Sequence, residues 1–320
     1  MNYKKHLRPF EQKSNKKAFV QLLNSLLPCF VLWWANFYIY HQHSLWFWIL
    51  TIPLTVGFMT RLFIIFHDCG HQNWTDNAGL NSIIGHILGF LFFVPFPVWS
   101  YFHNLHHLAA GDLDRRSALD IQTLTLAEYQ GLSPLKKLSY RIYRSVFGRF
   151  FFFTQFVFLI GFRIPAPLFS KKGVVSILIT NVLYLILFWQ ISQFYSLTDL
   201  FFVLFPVYYL TLGFGGFLFF IQHQFEETYW ERSADWNFDE VALLGSSFWD
   251  IPRILHWFSG NIGYHHVHHL SMSVPNYNLE NAHEKLVELG AEMRPVSLKE
   301  SLFCIQLKLW DEERKKMVGF

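Results

Sequence analysis

Four stretches of this chain, approximately 18–40, 45–66, 174–193 and 200–222, stay apolar for about 20 residues or more. A helix rising 1.5 Å per residue needs roughly 20 residues to cross the ~30 Å hydrocarbon core of a bilayer. In that core every backbone N–H and C=O must be satisfied inside the element, which leaves the helix as the spanning form for such stretches. The sequence therefore predicts an all-α integral membrane protein with four transmembrane helices. Composition agrees: 52% of residues are hydrophobic and 15% are charged, against about 25% charged in soluble domains.

Two further apolar stretches need charge to interpret them. Segment 82–102 is interrupted by Pro95 and Pro97, and segment 150–162 is fenced by Arg149 and Arg163. The first 17 residues hold six Lys or Arg, residues 103–172 hold ten and the tail after 223 holds nine. The links near 41–44 and 194–199 hold none. Basic residues collect on the cytoplasmic side. The N-terminus, the 67–172 region and the tail are thus expected in the cytoplasm, joined by two transmembrane hairpins. A crossing by 82–102 would put ten basic residues outside, so this segment is read as re-entrant or interfacial and 150–162 as an interfacial helix. The expected organisation is a single domain over 1–320, with a cytoplasmic cap from 67–172 and 223–320. The polar first 17 residues lack the format of a cleaved signal, and the first apolar segment is expected to remain as an anchor. Amphipathic helices are predicted at 280–290 and 298–317. Cys29, Cys69 and Cys304 are too scattered for a disulfide framework. A net charge of +3 gives no case for nucleic acid.

Three histidine clusters flank these segments: HDCGH from His67 to His71, HNLHH with His103, His106 and His107, and HHVHH from His265 to His269. Residues three or four apart share a helix face, while adjacent ones diverge by about 100°. An HxxHH triplet can therefore reach two metal ions. Imidazole suits zinc, copper, iron and nickel. A structural zinc needs four ligands, usually with cysteine; eight or more histidines exceed that. Two irons handling dioxygen fit the count best.

The pattern resembles the membrane fatty-acid desaturase family. The resemblance rests on the three boxes in order, and on AAGDLDRRSALDIQTLTLAEY, IQHQFEETYW and GSSFWDIPRILHWFSGNIGYHHVHHLSMSVPNYNL. These strings look like acyl-lipid desaturases of the delta-12 (omega-6) type, and the likeness spans roughly residues 55–290. It implies a di-iron centre that uses O2 and two electrons to place a cis double bond in an acyl chain. Carried over by position, the ligands are His67, His71, His103, His106, His107, His265, His268 and His269, with His223 in IQHQFE as a ninth. Zinc can replace iron in overproduced protein. Gln72, Asn73 and Trp74 stand where many relatives have a small residue after the first box, and Ser117 and Ala118 where a glycine is frequent; these departures bear on the substrate. Rival readings are a carotenoid or fatty-acyl hydroxylase or ketolase of the same superfamily, and a membrane metal transporter or sensor. The longer strings argue against the first. The second should carry its ligands in mid-span.

Ligating histidines donate their second ring N–H to a carboxylate or carbonyl. Asp68 is the leading candidate for that role. Asn261, four residues before His265, is a candidate to hold a metal-bound water, and Glu226, Glu227 and Asp250 are further partners. His6, His41, His43 and His283 are expected in solvent, His86 and His256 as satisfied core or interface residues, and His266 is the spare member of its box. Cys69 reads as a packing residue. Trp99, Tyr101, Trp249 and Trp257 are expected mainly as interfacial anchors. The chain has no HPGG haem motif and no ferredoxin cysteine set. Electrons should come from a separate ferredoxin-like or cytochrome b5-like donor at the cytoplasmic face, attracted by Arg115, Arg116, Lys136 and Lys137. These same residues equally suit anionic lipid.

Overall fold

A computed structural model describes residues 3–42, 45–116, 120–166 and 168–320; His43, Ser117 and Ala118 lie outside the described residues. The helices used below are α1 (Asn15–His41), α2 (Leu45–Gly70), α3 (Ala78–Leu91), α4 (Phe96–Ala109), α5 (Pro134–Arg144), α6 (Lys171–Ser192), α7 (Leu197–His223), α8 (Phe238–Leu244), α9 (His265–Leu270), α10 (Leu279–Glu288) and α11 (Leu298–Cys304). Short strands are β1 (Leu124–Thr125), β2 (Phe248–Asp250), β3 (Pro295–Ser297), β4 (Leu309–Asp311) and β5 (Lys316–Val318). The protein is mostly helical, and α1, α2, α6 and α7 are long and apolar enough to cross a membrane. The chain divides into two compact units.

One unit comprises residues 14–100 and 151–215. Ser14 caps α1 by accepting from the Lys17 N–H at 3.3 Å. The α1–α2 pair is locked by buried Asn36, which donates to Thr55 Oγ1 at 2.9 Å and accepts from Thr51 Oγ1. Such polar pairs hold helices together where lipid offers no hydrophobic drive. Phe37 packs on Tyr195 and Tyr40 on Phe202, so the C-terminal end of α1 meets the chain at the start of α7. Phe93 stacks on Tyr184 of α6 and meets Tyr208 of α7 edge-on.

Segment 82–102 is broken: α3 and α4 meet at a 100° bend. Residue 93 adopts a positive φ of 60°, and Pro95 biases its predecessor away from helix. Pro97 falls in the first turn of α4, where its missing N–H costs nothing. Gly85 permits the fold-back, because a Cβ there would stand 2.4 Å from the Phe96 ring. Trp99 is not an interfacial anchor. It is buried against Phe63, Phe66 and His67, because an inward-facing position on α4 fills the space under the bend. Gln72 has a positive φ, and its side chain donates to Cys69 O; Trp74 is buried and donates to Gln21 Oε1 at 3.3 Å. His86 bonds Ser82 O and lies on the exposed side of α3.

The other unit comprises residues 1–13, 101–150 and 216–320. The segment around residues 3–13 is strapped to the chain after the third histidine box: Ser271 Oγ donates to Glu11 Oε1, and Asn278 Nδ2 donates to Phe10 O and Gln12 O. Strands β1, β4 and β5 form one small sheet, and β2 and β3 pair in parallel. The predicted helix over 298–317 stops at Cys304. Residues 309–318 instead form an antiparallel hairpin with Trp310 opposite Met317, turned by Asp311, which accepts from the Glu313 and Arg314 N–H groups. Burial of Leu309, Trp310 and Met317 outweighs helix propensity here. Trp249 is likewise core, against Phe217, and Trp257 is partly covered.

Residues 67–100 and 151–172, expected with the cap, group with the long helices, and residues 3–13 with the cap.

Candidate metal centre

The second box sits on the last turns of α4 and the third forms α9. Successive 100° steps send the members of each box to different places. His106, His223, His265 and His269 form one nest, with a ring nitrogen from each within 4.8 Å of the others, all buried. His103, His107 and His268 form a second nest in the same unit. The two nests abut, with the His107 and His269 ring centroids 4.2 Å apart.

Hydrogen bonding fixes the tautomers. His223 Nδ1 faces the Gly245 carbonyl at 3.1 Å; a carbonyl only accepts, so Nδ1 carries the proton. His106 Nδ1 faces Asp120 Oδ1 at 2.7 Å, and again the carboxylate must accept. In neutral imidazole the other nitrogen is then a bare lone pair. Yet His106 Nε2 lies 3.1 Å from His223 Nε2, which in turn lies 3.0 Å from His265 Nε2. Lone pairs held this close repel unless a cation stands between them. Protonating one ring would place an imidazolium in a desolvated site, which burial disfavours. Two nitrogens bound at about 2.0–2.1 Å to one tetrahedral ion stand about 3.3 Å apart, close to what is seen. His269 Nε2 is buried without a hydrogen-bond partner. Burial, followed by the neighbouring histidines, holds the pKa of His269 well below the usual histidine value, so it stays neutral and able to ligate. The second nest repeats the contact, with His107 Nε2 at 3.2 Å from His103 Nε2 and 3.0 Å from His268 Nε2. All donors are imidazoles, a set that suits divalent iron, zinc or copper. The clusters can bind metal.

The local folds that aim these rings are specific. α8, capped by Asn237, ends at Gly245, where a Cβ would meet Val241 O at 2.8 Å; the close turn delivers the Gly245 carbonyl to His223. Before α9, Gly260 and Asn261 both take positive φ, and Asn261 Nδ2 donates to Asn276 O at 3.2 Å. Asn261 thus ties the turn before α9 to the loop after it.

In the unit of long helices, His67 lies in the last turn of α2, and His71 continues the turn by donating its N–H to His67 O at 3.3 Å. Asp68 is buried with Oδ1 at 3.0 Å from His67 Nδ1, the expected carboxylate contact. Glu226, Glu227 and Asp250 lie on the surface, the first two facing Lys316 and Arg294. The carboxylate on the second box is instead Asp120, which sequence reasoning missed; its one signal was its place in the RRSALD string. Cys69 is fully buried. His266 turns away from both nests: its Nε2 meets His283 Nδ1 at 3.0 Å, and burial lowers its pKa to about 3. His283 is therefore partly buried and paired rather than solvated. His6 and His41 are exposed and His256 is buried. Arg115 pairs with Asp112, and Arg116 with both oxygens of Glu128 at 3.1 and 3.0 Å.

A family model described as fatty acid desaturase matches residues 44–297, most of the chain. The chain belongs to that family. It is therefore an oxidoreductase of the fatty acid desaturases. It is 39% identical over 324 residues to the fatty acid desaturase of Bacillus subtilis (strain 168), covering 99% of this chain and 89% of that one. It is 27% identical to an sn-1 oleoyl-lipid 12-desaturase of Synechocystis sp., over 87% of this chain and 78% of the relative. It is 26% identical to an sn-1 acyl-lipid omega-3 desaturase (ferredoxin) of Nostoc sp., over 72% and 65%. Desaturase membership accounts for histidine nests in a chain with four long apolar helices.

Proposed function

We propose that this protein is a di-iron desaturase that introduces a cis double bond into the acyl chain of a membrane lipid. The observation that carries the reading is the facing of His106 and His223 Nε2 lone pairs at 3.1 Å beside a second, abutting nest. His106, His223, His265 and His269 hold one iron, and His103, His107 and His268 hold the other; the family resemblance implies His67 and His71 of the first box as further ligands. Bound iron supplies the O2 and electron chemistry. The net reaction is R–CH2–CH2–R′ + O2 + 2 e− + 2 H+ → R–CH=CH–R′ + 2 H2O. The chain's own part is positional. Asp68 and Asp120 keep the proton on Nδ1 of His67 and His106, and Gly245 does so for His223. Burial, with the neighbouring histidines, holds the pKa of His269 well below the usual histidine value, so that ring stays neutral.

The four long helices form two hairpins, with both termini and the metal centre in the cytoplasm. Charge parity supports this. So does the packing of residues 3–13, 101–150 and 216–320 into one compact unit, which requires those three segments to share a side. On the same reading the bent α3–α4 segment is re-entrant. Electrons arrive from a separate donor of ferredoxin or cytochrome b5 type; a ferredoxin is named for the Nostoc relative. A glycerolipid acyl substrate is supported by the acyl-lipid relatives.

The test is expression in a host that makes only saturated fatty acids. Gas chromatography–mass spectrometry of dimethyl disulfide adducts reads the product and its bond position, and elemental analysis reads the metal. New monounsaturated chains on intact glycerolipids are expected. Oxygenated lipids without new double bonds would mean a hydroxylase or ketolase and end the proposal.

A further inference from the structure

α5 has two opposed faces. Tyr140 and Arg144 are buried on one. Tyr140 donates its hydroxyl to Lys308 O and Gln122 O, and Arg144 donates to Gln224 Oε1 and Thr123 Oγ1, so the helix is fixed in its rotation. The other face is a stripe of aliphatic side chains left open: Leu135 is 76% exposed, Leu138 55% and Ile142 60%. At 100° per residue these three fall within one sector opposite Tyr140 and Arg144. Lys136 flanks the stripe on one side and Arg141 on the other. No Asp or Glu occurs anywhere from Tyr129 to Thr198. The charge on this element therefore has one sign and no local partner to cancel it.

We propose that α5 lies along the membrane surface, with Leu135, Leu138 and Ile142 at the acyl boundary and Lys136 and Arg141 on anionic phospholipid headgroups. A lone amphipathic helix of this kind binds by buried apolar area plus attraction to anionic lipid. Long basic side chains can extend from the apolar boundary to the phosphates. An acidic redox protein would satisfy the cations, but would leave three large aliphatic side chains in water between encounters, an arrangement that proteins avoid. A lipid surface covers them permanently. Arg115 and Arg116 are neutralised by Asp112 and Glu128. The proposal stands whichever reaction the metal centre performs.

Cys29, Cys69 and Cys304 are all buried, so a fluorophore attached to Leu138→Cys in the intact protein reports on that position alone. The protein is reconstituted in vesicles of phosphatidylcholine and phosphatidylglycerol, with one or the other brominated on its chains. Quenching by brominated chains is expected, with resistance to aqueous iodide. Phosphatidylglycerol should be preferred about fivefold for each cation in contact with it. Lys136→Gln with Arg141→Gln should bring that preference towards one while chain quenching persists. Leu135→Cys provides a second probe if Leu138→Cys loses its bound metal. Iodide quenching without lipid quenching overturns the proposal, as does equal quenching by the two lipids in the parent. Shielding that appears only at high protein density would assign the face to a second copy. Shielding that appears only on adding an acidic ferredoxin would assign it to the donor. Either outcome also overturns the proposal.

Discussion

Asp120 Oδ1 stands 2.7 Å from His106 Nδ1, and this contact decides which nitrogen of His106 is offered to a metal. The carboxylate accepts, so Nδ1 keeps the proton and Nε2 keeps the lone pair. Asp120→Asn retains an acceptor oxygen, while Asp120→Ala frees the ring to turn or change tautomer. Partners of this sort are worth about 10–100-fold in metal affinity. Chelator competition on the purified proteins should therefore rank the parent first, Asp120→Asn next and Asp120→Ala last. Equal affinity in all three would mean that Asp120 is a structural contact only.

The two adjacent histidines of the third box serve different nests. His268 belongs with His103 and His107, and His269 with His106, His223 and His265. His268→Ala and His269→Ala should each lower bound iron by about one ion per chain and abolish the product, since a structural zinc or dinuclear iron site loses its fit when a ligand is removed. His266→Gln should retain the full metal complement, because His266 is paired with His283 instead. Elemental analysis of the three variants checks this. Loss of metal in His266→Gln equal to that in the others would remove the two-nest assignment.

At the bend between α3 and α4, Gly85 lies under the Phe96 ring. A methyl group there would stand 2.4–2.8 Å from three ring carbons. Overpacking of this kind costs about 1–3 kcal/mol. Gly85→Ala should accordingly lower the thermal midpoint of the detergent-solubilised protein. Combining it with Phe96→Leu should recover part of the loss. Additive losses in the double variant would show that the bend does not rest on this contact.

Much of this architecture was legible because the signals are local and repetitive. Apolar runs of about 20 residues mark α1, α2, α6 and α7, and the 100° step already separates His106 from His107 and His268 from His269. What was hidden depends on where distant chain segments meet. Asp120 lies 14 residues beyond His106, across a loop with no period to read. Gly245 acts on His223 through its backbone carbonyl, which no side-chain pattern encodes. Trp99 and Trp249 carry the same indole as a headgroup anchor, and only the packing around them shows that they are interior. The three-residue strands near the C-terminus are too short for alternation to distinguish them from a helix. The apolar stripe of α5 was masked in the sequence by its four basic residues, and became visible once Tyr140 and Arg144 were seen to face inward.

The last prediction concerns pH. His256 stacks on Tyr264 with ring centroids 4.5 Å apart and planes 10° off parallel. Burial lowers its pKa to about 4, with nearby Asp250 opposing the shift and His283 reinforcing it. The unfolded chain titrates near 6.5. Between these values the unfolded state binds the proton and the folded state does not, so stability rises with pH across this window. Read downward, the contribution is complete above about pH 6.5 and is lost progressively as pH falls towards 4. His256→Phe keeps an aromatic ring on Tyr264 but cannot take up a proton. In metal-free protein, where ligand protonation cannot release an ion, the parent should lose more of its thermal midpoint than His256→Phe on going from pH 7 to pH 4.5. The two should run parallel above pH 7. Parallel curves through the whole range would mean that His256 titrates alike in both states, and that burial in this stack leaves its protonation unchanged.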